Sequence, residues 1–446
     1  MDIELSGMKK VLFITYYWPP AGGTPINRIF KFYQYLEEFG WEPVILTSEG
    51  GDFPFVDESL LAEVKPHTKV FRAKNVSMHK LFKKVSPNST KNFVPYGFTD
   101  NTNNSFMDNV SRWVKYNFIP DTRFPWYFAA VKNAIKIVKE EKIDLIFSSS
   151  PPQTNHIIAR KVARKTGLPW VADFRDPWTD VFWVIAENSM RMKLIQKLDR
   201  MLEKRTIARM DSIICFGKTM HDILLKKTNN KPHIIFNGFD QKYFTISDYK
   251  RTGSFRIIYF GSMSKEQPAW SFFNALELLI DDKEFFDNVD ILFLGNFPLH
   301  LHIEAEKSSF ARKVRFLPYV KYSESLKIIT NCELSMFIVG DTPDNVSHLS
   351  LKIFEYLGAA HPVIGFGPPH GEAGKIMDQT GIGKMFDFKD HQSAASHIIE
   401  IYQKWKNNEN LFDPAVVEKT KVYSRKSLTG QLAEIFDSTL KNIKIK

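Results

Sequence analysis

The chain has 446 residues, 43% apolar and 25% charged, an ordinary globular composition with length enough for two domains rather than one core. Its formal charge is +10, and the excess is lopsided: residues 1–246 hold 36 basic and 25 acidic side chains, the remainder 24 and 25. Two cysteines, Cys215 and Cys332, exclude a disulfide framework or a zinc cluster and favour a reduced compartment. The start, MDIELSGMKK, lacks the apolar centre of a signal peptide, and no apolar run approaches the roughly 20 residues of a membrane span. A cytoplasmic location follows as an expectation.

A short apolar run followed by helical spacing recurs along the chain, the pattern of parallel sheets covered by helices. Lys10–Tyr17 reads as a buried strand, PPAGGTP as its loop, and Ile26, Ile29, Phe30, Tyr33 and Leu36 as one face of a helix. Gly40 stops that helix, and Val44–Thr47 is the next strand. Residues 75–125 break the rhythm: they are rich in Asn and Ser, with HKLFKKV, SRWVKYNF and DTRFPWYF interleaving bases and aromatics. A solvated insertion is one reading, and a surface that docks on an anionic membrane or acceptor is the other. Helix Phe128–Lys139, strand Asp144–Ser148, helix Thr154–Lys165 and strand Trp170–Phe174 follow. A long helix from about Glu187 to Arg209 leads to strand Ser212–Cys215, a short helix over Met220–Lys227 and strand His233–Phe236.

The polar stretch ISDYKRTGS has no apolar period and predicts a boundary between domains 1–248 and 249–425. Beyond it the pattern restarts with strand Arg256–Phe260 and a helix carrying Phe273, Leu276 and Ile280. Strands are expected at Asp290–Leu294, Val314–Leu317, Glu333–Ile338 and Pro362–Phe366. Two doubly wound α/β domains, whose strand ends face a ligand cleft, are the expected architecture.

Three places carry candidate chemistry. Gly22 and Gly23 lie between a strand and a helix start, where backbone N–H groups can approach an anion, although a plain turn explains them equally well. Asp173, Arg175 and Asp176 crowd the end of an apolar strand, either as a structural pair or as groups for a hydroxylated substrate and its developing charge. In the second half, Gly261, Ser262 and Lys265 resemble a second phosphate loop. Leu351, Phe354 and Leu357 form an apolar stripe with Lys352 and Glu355 on the other side of the helix. There an ammonium can meet phosphate and a carboxylate can accept two ribose hydroxyls, while a solvated Lys and Glu is the plainer alternative.

In this order, YYWPPAGGTPINRIFKFYQYLEEFGWEPVILTS, the DFRDPW strand end, NGFD and SLKIFEYLGAAHPVIGFGPPHGEAGKI resemble family 4 glycosyltransferases, retaining nucleotide-sugar enzymes of GT-B fold found in bacterial surface-polysaccharide synthesis. The resemblance covers nearly the whole chain. It implies a nucleotide-sugar donor on the second domain, with Glu355 on the ribose and Lys352 or Lys265 on the leaving group. It implies a glycan or lipid-linked acceptor on the first domain, no required metal or other cofactor, and a final helix, about 426–446, packing back on the first domain. Two positions depart from the family pattern. Ser347 stands where its first glutamate is expected, which leaves His348 or another loop residue as the replacement contact. Arg175 stands in place of a histidine, leaving Asp173, Arg175 and Asp176 as a set of their own. Those departures also suit a non-catalytic GT-B-like protein that binds a glycan or a partner. Nucleic acid is not expected as a partner, because the basic first half holds no recognition module.

Overall fold

The structure, a computed structural model, describes residues 7–51, 53, 55–75, 119–180, 190–244, 249–318 and 320–444. The segment 75–125, read either as a solvated insertion or as a docking surface, therefore lies largely outside the described residues, as do residues 245–248 of the polar stretch. The chain forms two compact units, residues 1–235 with 429–446 and residues 236–428. The division precedes the expected 248/249 for a packing reason. Phe236 lies against Tyr423 at 5.4 Å and Phe354 at 6.1 Å between ring centroids, and Phe239 against Phe244 at 5.8 Å, so the NGFD turn is fastened within the second unit.

In the first unit the described strands are β1 (Lys9–Ile14), β2 (Trp41–Glu49), β3 (Val70–Lys74), β4 (Leu145–Ser150), β5 (Trp170–Phe174), β6 (Ser212–Cys215) and β7 (His233–Ile234). All pair in parallel, in the order β3-β2-β1-β4-β5-β6-β7. Strand β3, VFRAK, has no continuous apolar run and is not foreseen from the sequence, because it lies at an edge with only Ala73 buried. The helices are α1 (Thr24–Leu36), α2 (Tyr127–Glu140), α3 (Thr154–Thr166), α4 (Met190–Ile207) and α5 (Lys218–Leu225). The core joins Leu12, Ile14, Leu46, Ile146 and Ala172 of the sheet to Ala130, Ile158 and Val162 of α2 and α3.

The second unit repeats the design with β8 (Phe255–Phe260), α6 (Trp270–Glu277), α7 (Lys283–Asn288), β9 (Val289–Leu294), α8 (Leu299–Lys307) and β10 (Val314–Leu317). It continues with α9 (Tyr322–Thr330), β11 (Leu334–Ile338), α10 (Leu351–Ala359), β12 (Val363–Phe366), α11 (Glu372–Thr380) and β13 (Gly383–Phe386), and then α12 (His391–Lys406) and α13 (Pro414–Thr420). Its sheet is again parallel, in the order β10-β9-β8-β11-β12-β13. Helix α6 stops at Glu277, so Ile280 falls in the turn beyond it. In both sheets the glycine loops, the DFRDPW loop and the start of α10 leave carboxyl ends of strands, where open parallel sheets gather ligands.

The last helix, α14 (Arg425–Lys444), starts in the second unit and ends in the first. Within the first unit Phe436 meets Trp41 at 5.2 Å and Phe147 at 5.4 Å, both edge-on. Asp437 accepts the indole N–H of Trp41 at 3.0 Å and pairs with Lys9, and the Ser212 and Thr439 hydroxyls share a hydrogen bond of 2.8 Å. Because Phe436 is fully buried, Phe436→Ala should cost about 3–5 kcal/mol of stability. Urea unfolding measures this, and a loss under about 1 kcal/mol would mean that the helix adds little to the first core.

Candidate functional site

Strand β5 is buried along its whole length, including Asp173. A bare carboxylate there would be untenable, and α1 supplies its partner. Arg28 donates from Nε to both carboxylate oxygens at 3.1 Å and from Nη2 at 2.9 Å, and Ser149 Oγ donates at 2.7 Å. The structural reading of Asp173 is thus the observed one, with Arg28 rather than Arg175 as partner. Asp173 is an anchor for α1 and does not face solvent.

The residues that follow are turned outward. Arg175 donates its backbone N–H to Ser150 O at 3.1 Å and its guanidinium to Pro25 O in the first turn of α1. Asp176 is half-buried, and desolvation pushes its carboxyl above the ordinary value while Arg175 pulls it back. The first glycine loop lies beside them in the chain path that Arg175 grips. Gly22 N donates to Phe55 O at 2.9 Å, and a Cβ there would come 2.9 Å from Asp57 Cβ. Gly23, at φ 76°, is the N-cap of α1 without a side-chain cap, so the first turn keeps exposed backbone around Thr24.

The DFRDPW loop is held from behind by α4. Asp199 accepts the Trp178 indole N–H at 2.9 Å. Glu203, buried, accepts from Thr179 Oγ1 at 2.5 Å and pairs with Lys227 at 2.7 Å, while Lys227 also pairs with Asp180. Burial drives the Asp199 carboxyl up to about 7, opposed by the Trp178 hydrogen bond and reinforced by Glu203. Below these groups Asp121 caps α3, accepting from Thr154 N at 2.8 Å and Thr154 Oγ1 at 2.9 Å. His156 is a core histidine: its ring shares a 2.8 Å hydrogen bond with Ser148 Oγ, and burial lowers its pKa to about 3, which keeps it neutral.

In the second unit Gly261, Ser262 and Lys352 come together. Lys352 Nζ donates to Tyr259 Oη at 2.5 Å and to Ser262 O at 2.6 Å, and sits 4.4 Å from the centre of the Tyr259 ring. Gly261 (φ 87°) makes this possible, since a Cβ would lie 2.9 Å from Lys352 Cε. Burial lowers the Lys352 ammonium to about 7. Ser350 caps α10 by accepting Lys352 N at 3.2 Å. One turn on, Glu355 is buried and accepts the Tyr322 hydroxyl of α9 through Oε1. Tyr243 meets Tyr322 edge-on at 5.8 Å. The solvated reading of Glu355 therefore fails, because α10 is buried on most sides and only Leu351 and Lys352 of its first turn are partly open. Lys265 and His348 are exposed on loops, and no described contact joins Lys265 to the Lys352 cluster.

Arg28, Ser149, Tyr259 and Tyr322 are missed by sequence reasoning. Arg28 had no available signal, since it lies off the face formed by Ile26, Ile29, Phe30, Tyr33 and Leu36. The tyrosines had none, since Tyr259 lies 93 residues from Lys352 and Tyr322 lies 33 residues from Glu355.

Two predictions follow from the buried charges. Asp173→Ala takes the carboxylate away from the buried Arg28 and should cost about 3–5 kcal/mol, whereas the double replacement Asp173→Leu with Arg28→Met should recover much of it; thermal melts of the wild type and the two variants decide. Asp199, raised from the ordinary carboxylate value to about 7, contributes stability that is full below about pH 4 and is lost as pH rises through 7. Asp199→Asn keeps an acceptor for Trp178 and should gain stability relative to the wild type at pH 8 but not at pH 4, by an amount on the order of a few kcal/mol; an equal difference at both pH values would refute the assignment.

The family model described as Glycosyltransferase Family 4 matches residues 27–243. No curated protein matches the sequence. Among solved structures the chain is similar to sucrose-phosphate synthase from Thermosynechococcus elongatus (12% identity, TM-score 0.61, covering 97% of this chain and 100% of that one). It is also similar to a glycosyltransferase from Rickettsia africae ESF-5 (13%, TM-score 0.60, 98% and 99%). A third is described as trehalose-6-phosphate from E. coli bound with UDP-2-fluoro glucose (10%, TM-score 0.55, 97% and 99%). The fold is GT-B, with the likeness running over both units. On the matched segment 27–243 the chain is a glycosyltransferase.

Proposed function

We propose that the enzyme moves a sugar, with retention, from a nucleoside diphosphate sugar to a glycan or lipid-linked acceptor in surface-polysaccharide or glycoconjugate synthesis. The observation that carries the donor class is the Lys352 ammonium, gathered with Gly261 and the Ser262 carbonyl at the start of α10. A partly desolvated cation at a helix N-terminus, beside a loop without a Cβ, suits a diphosphate. Glu355, three residues along the same helix and oriented by Tyr322, is the carboxylate assigned to the ribose hydroxyls in this reading. The E. coli structure described with UDP-2-fluoro glucose supports a nucleotide-sugar donor for this fold.

In the proposed step the bond from the anomeric carbon to the diphosphate oxygen breaks and a bond to the acceptor oxygen forms on the same face. The acceptor's proton passes to the departing phosphate oxygen. Lys352 and the amides at the start of α10 meet the charge that develops on the diphosphate, so no metal is required for that role. Arg175 and Asp176 belong to the acceptor side of the reading, Gly22 and Gly23 to the close approach of substrate to backbone, and Lys265 and His348 to the outer rim of the donor site. Asp173 acts through Arg28, by holding α1. The buried thiols Cys215 and Cys332 suit a reduced, cytoplasmic setting.

A thermal-shift screen of nucleoside diphosphate sugars, in a buffer with a chelator, tests the donor class. One donor should stabilise the protein, and Glu355→Ala should weaken it at least tenfold with the melting temperature of the free protein little changed; silence across all UDP-, GDP-, ADP- and TDP-sugars would overturn the reading. The pH dependence separates the role of Lys352. A nucleotide sugar's diphosphate does not titrate near neutrality, so affinity should fall as pH rises from 6 to 8, where the lysine, lowered to about 7, loses its charge. Lys352→Met should bind weakly at every pH and abolish the slope.

A further inference from the structure

Helix α4 has an unusual division of its side chains. Leu194, Leu198 and Met201 are 59%, 43% and 43% exposed, and their spacing of four and three places them along one stripe. Lys193, Lys197, Arg200 and Lys204 run along one side of the stripe, Arg205 lies on it, and all five are exposed as well. The helix's acids point the other way: Asp199 is bound to Trp178, and Glu203 is buried against Thr179 and Lys227. The exposed face thus pairs an apolar stripe with a row of bases running beside it. Neighbouring α3, TNHIIARKVARKT, contains no acid, and Arg160 donates to Thr206 Oγ1 of α4 at 3.1 Å. Arg164, Arg205 and Arg209 stand within electrostatic reach of that guanidinium, so like charges of two helices crowd together.

We propose that this face of α4 docks on an anionic lipid bilayer, with Leu194, Leu198 and Met201 entering the headgroup boundary and the flanking bases meeting lipid phosphates. Such an arrangement is that of a helix lying in the plane of a membrane, its long basic side chains reaching outward from an apolar stripe. Charge decides between occupants. A second copy of the chain would bring the same bases against themselves, while a bilayer offers a plane of negative charge over an apolar interior and satisfies both parts of the face. Among the described residues no helix is long and apolar enough to cross a membrane, so the contact is peripheral. The inference deepens the acceptor side of the reading above, because a lipid-linked acceptor lies on such a surface, but its test needs no donor or turnover.

Sedimentation of the full chain with vesicles of pure phosphatidylcholine, and with vesicles containing about one third phosphatidylglycerol, tests it. Binding should favour the anionic vesicles and weaken at high salt. K197Q/R200Q/K204Q should weaken it about a hundredfold, roughly fivefold for each base. L194S/L198S/M201S keeps every charge and should still weaken it at least tenfold. Melting temperature and nucleotide-sugar binding of each variant check the fold and keep a failure of this site distinct from a failure of the donor reading. Equal binding to neutral and anionic vesicles, undiminished binding by the serine variant, or equally tight binding to soluble polyglutamate would each overturn the proposal; the wild-type comparison decides even if a variant fails to fold.

Discussion

The buried pair of Asp173 and Arg28 is the constraint on which the first unit's functional edge depends. A carboxylate at the end of a fully buried strand can remain ionised only if a cation and hydroxyl surround it, and the arginine that does so belongs to α1. Strand β5 and helix α1 are therefore locked to each other. The lock places the Gly22–Gly23 turn and the residues after Phe174 together, and Arg175 repeats the tie from outside by donating to Pro25 O. Asp199, Glu203 and Lys227 hold the far end of the same loop. The outward groups Arg175 and Asp176 gain a fixed position because their neighbours are immobilised by buried ion pairs.

The second unit solves a different problem with similar means. A lysine kept partly out of water is costly unless hydroxyl and carbonyl oxygens receive its protons, and Tyr259 and Ser262 do this while Gly261 leaves room for the chain. The cost appears as a pKa lowered to about 7, which leaves the ammonium ready to be stabilised further by an anion. Glu355 is managed in the same way by the Tyr322 hydroxyl. In both units the polar groups are prearranged by partners distant in sequence, so binding need not spend free energy ordering them.

The charge asymmetry of the chain also has a structural origin. The first unit's acids, Asp121, Asp173, Asp199 and Glu203, are drawn inward as caps and ion-pair partners. The bases of α3 and α4 remain at the surface, so the exposed side of that helical layer is more positive than composition alone suggests.

Much of this was legible from residues in order. Strands such as WVADF and SIIC coincide with the observed ones, because a strand buried on both faces must be continuously apolar and its ends are marked by the first polar residues. Edge strands β3 (VFRAK) and β13 (GKMF) were not, because their basic residues and a glycine leave no continuous apolar run, whereas the edge strands β7 and β10 were. The presence of Gly22, Gly23, Gly261, Lys352 and Glu355 at strand ends and a helix start was likewise a property of the sequence, since periodicity fixes which element each belongs to. Which of them are paired was not: Asp173 could be assigned to Arg28, Lys352 to Tyr259 and Glu355 to Tyr322 only by folding. Spacing along the chain determines local secondary structure through the backbone's short-range geometry, whereas the desolvation that makes a buried charge choose its partner exists only after distant elements have closed around it.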